Sequence, residues 1–479
     1  MTGMGSKQDA LDAFRKLLGP KGYSDDPDVL SPWLTDWRGR YTGRAAAMLS
    51  PANSAEVSAL VKIAAAHKIA LVPQGGNSGM VAGATPDETG DAVLLSMRRM
   101  DQIIGFNEGE RTICCEAGVI LQNLHDVAAS RGLRFPLTLG GKGSATIGGL
   151  ISTNAGGTQV LRHGTMRALV NGIEAVLPDG SIYDGLSPLK KDNRGYDLKH
   201  LMIGAEGTLG IVTAANLQLV PALIDRCVIW AGVESPQAAH QLLLFMQSKL
   251  REQLEGFEIL PRRALTAVLK HIDGTRPPLT GNHSWHVLME IVQDDPAADA
   301  PGDIAAEIMA QALQQNLIED AACSVNETQA EAFWKIRDSV AEAERAEGPA
   351  LQHDISVPVA DMARFITDES PQIEAAFPGT QIVAFGHLGD GNIHFHVKAP
   401  KDADPKNWYE NNMAAISAAV YDRVTSYKGS ISAEHGIGQL KVRELARLAD
   451  PARLLTLRAI KKAMDPDGIM NPGKLVPLA

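Results

Sequence analysis

At 479 residues the chain is long enough for two or three domains, each with its own apolar core. Its composition, 45% hydrophobic and 21% charged, is that of an ordinary globular protein, and its formal net charge of −11 argues against a nucleic-acid partner. The basic residues are scattered in short pairs such as Arg98-Arg99, Arg262-Arg263 and Lys461-Lys462, with none of the concentrated surface that phosphate binding needs.

The N-terminal MTGMGSKQDALDAFRKLLGP reads as a short amphipathic helix without a signal h-region. Residues 54 to 68 read as a helix beginning at Asn53 or Ser54, and Ala70 to Pro73 as a strand running into a loop. The most apolar helical stretch, Leu60 to Val72, carries Lys62, His67 and Lys68 and is too short to span a bilayer, so no integral membrane segment is expected. Ala92 to Ser96 and Arg111 to Glu116 read as strands, and 119 to 131 as a helix. Cys114 and Cys115 would point to opposite faces of their strand. Together with Cys227 and Cys323 they make no CxxC or Cys/His cluster, which argues against a disulfide framework or an iron–sulfur centre and for a reducing cytoplasm.

The first half is rich in glycine. The loop Pro73-Gln74-Gly75-Gly76-Asn77-Ser78-Gly79 follows a strand, and consecutive glycines can bring main-chain N–H groups to one point as an anion nest. A second cluster runs from Gly140 to Gly149 and on to Thr153-Asn154-Ala155-Gly156-Gly157. A third, Gly204-Ala205-Glu206-Gly207-Thr208-Leu209-Gly210, precedes the strand Ile211 to Thr213. Three such loops in one region point to an extended phosphate-bearing cofactor. No GxGxxG and no GxxxxGK[ST] occurs, which removes the Rossmann fingerprint and the P-loop.

Near Pro221 the character changes. Cys227 to Gly232 reads as a strand, followed by a helical run to about Arg251, then Phe257 to Ile259, the strand Trp285 to Val292, an exposed loop at 294 to 302, and one long helix across 326 to 347. The expected division is 1–220, 221–425 and a C-terminal segment 426–479 that packs back on the first domain.

The stretch His387-Leu-Gly-Asp-Gly-Asn-Ile-His394-Phe-His396 reads as strand, glycine turn, strand. Ile393, Phe395 and Val397 alternate with His394 and His396, so one strand face presents two imidazoles. Glu434, in Glu434-His435-Gly436, adds a hard oxygen. His387, His394 and Glu434 make a three-ligand set that leaves open positions on a metal such as zinc. The competing interpretation is a pair of histidines on a solvated sheet face.

Taken together, VPQGGNSGM, GSATIGGLISTNAGGTQVLRHG, GAEGTLGIVT, FGHLGDGNIHFHV, SAEHGIG and DPDGIMNPGKL closely resemble the FAD-linked 2-hydroxy-acid dehydrogenases of the vanillyl-alcohol-oxidase type, over roughly residues 30 to 475. Bacterial D-2-hydroxyglutarate and D-lactate dehydrogenases are similar in pattern. The resemblance implies an α+β fold: a PCMH-type FAD-binding domain of two α+β lobes, an α+β cap (substrate) domain and a C-terminal segment. It places FAD along Pro73, Gln74, Gly75, Gly76, Asn77, Ser78 and Gly79, with the pyrophosphate on Gly75 to Gly79. It continues the site along Gly143, Ser144, Gly148, Gly149, Thr153, Asn154, Gly156 and Gly157, then Glu206, Gly207, Gly210 and Ile211, with Asn471 near the isoalloxazine. Asn77 and Ser78 stand where some relatives carry the histidine of a covalent flavin link, so non-covalent FAD is expected.

In the family pattern His387, His394 and Glu434 hold the divalent metal, zinc or alternatively manganese. His435 is the base for the hydroxyl proton while hydride passes to flavin N5. Arg337 matches the arginine that binds the substrate carboxylate, and Asn392, His396 and Gln352 complete the substrate group. Gln352 stands where hydroxyglutarate-type members carry lysine, His396 where relatives carry asparagine, and Ala341 where they carry threonine. D-lactate, D-malate and D-2-hydroxyglutarate therefore all stay open. The expected reaction is oxidation of a D-2-hydroxy acid to the 2-oxo acid, with electrons passed to an external acceptor such as an electron-transfer flavoprotein or a quinone. A homodimer is compatible with this reading. The alternatives are the flavin subunit of a glycolate-oxidase-like complex and a non-redox transferase like the alkyl-glycerone-phosphate synthases.

Overall fold

The computed structural model describes residues 6–477. The first five residues of the expected N-terminal helix lie outside the described residues; the helix itself runs Lys7–Gly22, opened by a capping box between Ser6 and Asp9. The chain forms two compact units. The first comprises residues 1–157, 164–221 and 434–479, and the second 158–163 and 222–433.

The first unit holds two main sheets, each with its own core. In the four-stranded sheet the order is Tyr23–Ser24, Met48–Leu49, Val93–Ser96, Leu71–Gln74, the last three strands being parallel. The helix Ser54–His67 packs on it, starting at the side chain of Asn53, which accepts the N–H of Glu56. The five-stranded antiparallel sheet runs in the order Ile103–Asn107, Thr112–Glu116, Ile211–Gln218, Val170–Val176, Ile182–Gly185. The helices Leu121–Ala129 and Ile147–Thr153 bury their apolar sides against its core. The C-terminal segment returns to the first sheet: Met470 bridges Leu71 in parallel, and the N–H of Leu71 donates to the Ile469 carbonyl.

The second unit is built on a seven-stranded antiparallel sheet. Its order is Asp320–Cys323, Asp225–Val233, Trp285–Gln293, Leu254–Pro261, Gln381–His387, Asn392–Lys398, Ala350–Ser356. Its central strands are buried along nearly their whole length, the apolar residues interrupted by buried polar ones such as Glu255, Glu258, His286 and Glu290. Residues from the helices Arg262–His271, Glu327–Asp338 and Val340–Ala346 pack with Trp230, Leu288 and Phe385 in one core.

Two expectations about this region change. The single helix expected over 326–347 is two helices divided at Ser339, whose ψ of −2° opens the turn between them. The return to the first unit, expected at 426, starts at Glu434: residue 425 lies inside the helix Pro405–Ser426, and Ser430 then bridges Ser356 in the seven-stranded sheet. All four cysteines are free, with Cys115 buried and Cys114 half-buried on opposite sides of their strand. No helix among the described residues is long and apolar enough to cross a membrane.

Candidate active site

Within the first unit the glycine loops enclose a cavity of about 530 Å³, inside the roughly 300–1,000 Å³ range of small-molecule and cofactor sites. All seven residues from Pro73 to Gly79 line it, with Gly143, Ser144, Gly148, Gly149, Thr153, Gly156, Glu206, Gly207, Gly210, Ile211, Glu434 and His435. Among the described residues no Lys or Arg lines the wall. A phosphate group held here is therefore met by main-chain N–H groups and hydroxyls, which is the role of a nest.

The glycines divide by purpose. A Cβ on Gly79, Gly140 or Gly143 would meet nothing within 4 Å, so these positions leave room for a ligand. A Cβ on Gly75 would lie 2.0 Å from Thr146 Oγ1, and one on Gly76 1.7 Å from the Ser144 carbonyl. Those two glycines let the first and second loops touch. The wall fits a long, anionic, partly apolar group such as FAD.

Three residues expected at the cofactor do not line this cavity, and each is occupied elsewhere. Asn154 ends the helix Ile147–Thr153 in the left-handed conformation, and its Oδ1 accepts from Thr165 Oγ1 and Arg167 N. Gly157 is needed for close passage of the chain, since a Cβ there would lie 2.1 Å from the Thr138 carbonyl. Asn471 is buried, and its Nδ2 donates to the carbonyls of Gly83 and Glu206 at 2.9 and 2.7 Å.

Glu206 also lines the cavity, and its carboxylate has a second task. Its two oxygens accept the N–H groups of Ile437 and Gly438, each at 2.7 Å. Burial pushes this carboxyl up, against the pull of those two N–H groups and Lys441. Glu206 thus fixes the loop that directly follows Glu434-His435.

In the second unit the histidines sit on one face of the sheet. Gln381–His387 and Asn392–Lys398 form the expected hairpin, and Gly391 has φ +84° at its turn, where a Cβ would lie 2.2 Å from the Val357 carbonyl. The rings of His387 and His394 are 5.4 Å apart, and a ring nitrogen of each lies within 4.8 Å of the other. His387 is buried and the His394 side chain is only 16% exposed, which does not fit a pair of histidines on a solvated sheet face. His394 is held well below the ordinary imidazole pKa by burial, then by His387 and Arg337, and so stays neutral with a lone pair to give. Asp354 is directly across from His394 in register. Ala433, the residue before Glu434, donates its N–H to the Asp354 carbonyl at 3.4 Å.

Arg337, buried on Glu327–Asp338, donates from Nε to Glu258 Oε2 at 2.6 Å, and its guanidinium stacks 5.3 Å from the Phe385 ring centre. His396 is hydrogen-bonded through Nδ1 to buried Glu344, and Gln352 is its direct cross-strand partner. Asn392 donates from Nδ2 to Asp354 Oδ1 and the Ile355 carbonyl, leaving its buried Oδ1 without a partner among the described residues. Glu258, Glu344 and Asp354 were missed by sequence reasoning. The strand Leu254–Pro261 carries two glutamates, Glu255 and Glu258, so nothing in its sequence singled out Glu258.

Residues 224–475 match the family described as FAD linked oxidases, C-terminal domain, and residues 45–185 match a FAD binding domain. A mitochondrial D-2-hydroxyglutarate dehydrogenase of Arabidopsis thaliana is 35% identical over 97% of this chain and 81% of its own length. D-2-hydroxyglutarate dehydrogenase of Xanthomonas citri pv. viticola is 34% identical over 94% of this chain and 93% of its own. Among solved structures, p-cresol methylhydroxylase with substrate bound superposes with a TM-score of 0.76 at 17% identity, covering 98% of this chain and 97% of its own, which shows the shared fold. The expected cytoplasmic location is corrected by these relatives. The Arabidopsis protein is mitochondrial by name, as is a Danio rerio relative. Free cysteines fit any reducing compartment and could not select the cytoplasm.

Proposed function

The chain belongs to the FAD-linked D-2-hydroxy-acid dehydrogenases of the vanillyl-alcohol-oxidase type, and from that membership we propose that it oxidises D-2-hydroxyglutarate or a close D-2-hydroxy acid with the help of a divalent metal. The observation that carries this reading is the cluster in which His387 and His394, neighbours on one sheet face, are tied through Glu258 to Arg337 on the helix Glu327–Asp338. Imidazole donors beside a guanidinium suit the two ends of an α-hydroxy carboxylate. The names of the Arabidopsis and Xanthomonas relatives supply the substrate class.

FAD, bound without a covalent link in the glycine-walled cavity, supplies the acceptor for the α-hydrogen as hydride. His387, His394 and Glu434 would hold a divalent metal, zinc or manganese, which when bound would supply Lewis acidity toward the hydroxyl oxygen. The chain does the rest. Arg337 binds a carboxylate of the substrate, and a planar guanidinium with fixed direction orients it better than a lysine could. His435 takes the hydroxyl proton, because the flavin accepts hydride and the proton must go to the protein. Glu206 keeps His435 in place by fixing the next turn of chain. Electrons then leave to an external carrier, an electron-transfer flavoprotein or a quinone.

Anaerobic mixing with D-2-hydroxyglutarate, D-malate and D-lactate tests the reading. Flavin absorbance should bleach with D-acids and not with their L-isomers. Flavin that stays oxidised with every D-2-hydroxy acid would falsify it.

A further inference from the structure

Glu258 is a carboxylate in the histidine layer that belongs to no recognised motif. It lies in Leu254–Pro261 directly across from His387, and only 1% of it is exposed. Oε1 meets His387 Nδ1 at 2.5 Å and Oε2 meets Arg337 Nε at 2.6 Å. Paired through Oε2 with a guanidinium that is always charged, the carboxylate can only accept. A neutral His387 must then carry its proton on Nδ1, which leaves the lone pair on Nε2 and fixes the ring plane. The second oxygen meanwhile fixes the guanidinium plane of Arg337.

From this geometry we propose that Glu258 is a positioning residue with two tasks: it sets His387 as an Nε2 metal ligand and orients Arg337 toward the substrate carboxylate. The inference rests on the metal reading of His387, His394 and Glu434. It differs from a plain buried ion pair between Glu258 and Arg337, because it assigns a consequence to the His387 tautomer.

Glu258→Gln separates the two. Arg337 Nε can only donate, so the glutamine oxygen must face Arg337 and its NH₂ must face His387 Nδ1. That forces the imidazole proton onto Nε2 and removes the ligand lone pair without changing the size of the side chain. Glu258→Asp keeps the charge but shortens the reach.

The test uses flavin-loaded protein stripped of metal by a chelator, with zinc affinity measured by calorimetric titration. Flavin content and melting temperature are recorded as checks on folding. Glu258→Gln should weaken zinc binding by roughly ten- to a hundredfold, the usual effect of losing a carboxylate behind a ligating histidine, and Glu258→Asp by less. At saturating zinc on His387 Nε2 the proton returns to Nδ1, so the glutamine must turn its oxygen to His387 and its NH₂ to Arg337; kcat should then recover more fully than KM, since Arg337 has lost its acceptor. Zinc binding by Glu258→Gln equal to wild type, with His387→Ala unable to bind, overturns the role of Glu258. Wild type that binds zinc no better than His387→Ala overturns the metal reading instead. If Glu258→Gln does not fold, Glu258→Asp decides: undiminished zinc affinity and KM in that variant overturn the proposal.

Discussion

Gly436 lies so close to Glu206 that a Cβ on it would sit 2.7 Å from Glu206 Oε1, and its φ is +80°. Glycine is required twice over at this point, for the left-handed backbone and for the approach of the carboxylate. The residue next to it is His435, so any adjustment that relieves an added side chain also moves that imidazole. Gly436→Ala should cost about 1–3 kcal/mol of local strain and slow flavin reduction by substrate while FAD stays bound. Glu206→Gln should act alike, because an amide offers one acceptor where the carboxylate gives two. Stopped-flow reduction with flavin content measured in parallel checks both. A wild-type reduction rate in Gly436→Ala would show that the loop tolerates the change and that its geometry does not serve the base.

The purified protein should be yellow, and acid precipitation should release FAD into the supernatant. The first glycine loop carries Asn77 and Ser78, and the histidine on the cavity wall is His435. Flavin retained in the washed precipitate would reveal a covalent link and contradict this.

His435→Ala should fold and keep its FAD, while flavin reduction falls by roughly a hundredfold or more, in the usual range for removal of a general base. Reduction at the wild-type rate would mean that another group takes the hydroxyl proton.

A pH effect is expected away from the site. Burial, then the neighbouring His283 and Arg262, lowers His286 to about 4, and its Nδ1 accepts Trp230 Nε1–H at 3.1 Å. Its folded pKa lies below the unfolded value of about 6.5. The unfolded chain therefore takes up the proton first as pH falls. The stability that depends on a neutral His286 is intact above about pH 6.5 and is lost as pH drops toward 4, by up to about 3 kcal/mol. Denaturation curves of wild type and His286→Gln between pH 7 and 4 should diverge by that slope. Parallel curves would rule it out.

What the sequence made legible was local. The hairpin around His387 and His394 announces itself through period-two alternation and a glycine that must take a positive φ. The glycine loops are equally visible, but their division of labour is not: Gly75, Gly76 and Gly157 answer to chain segments that only the fold brings alongside. Glu258 was out of reach for the same reason. It lies 129 residues from His387 in sequence, and its role exists only once the two strands are paired. The break at Ser339 left no mark, because the residues on either side keep helical periodicity.

Substrate choice turns on Gln352 and its neighbours. Gln352 pairs across the sheet with His396, and His396 is held by Glu344, whose Oε1 is buried without a partner among the described residues. A second substrate carboxylate brought to this end would meet a carboxylate rather than a cation, and a buried unpaired charge costs several kcal/mol. If Arg337 reaches the distal end, that cost disappears and diacids are favoured; if it anchors the α-carboxylate, D-lactate gains. Gln352→Lys distinguishes the cases. A lysine facing the distal group should raise kcat/KM for D-2-hydroxyglutarate and D-malate over D-lactate by roughly tenfold or more, as expected of a new hydrogen bond to a charged group worth about 1.5–3 kcal/mol. Equal effects on all three acids would place Gln352 outside the substrate pocket, and a wild-type preference for L-isomers would remove the D-acid assignment itself.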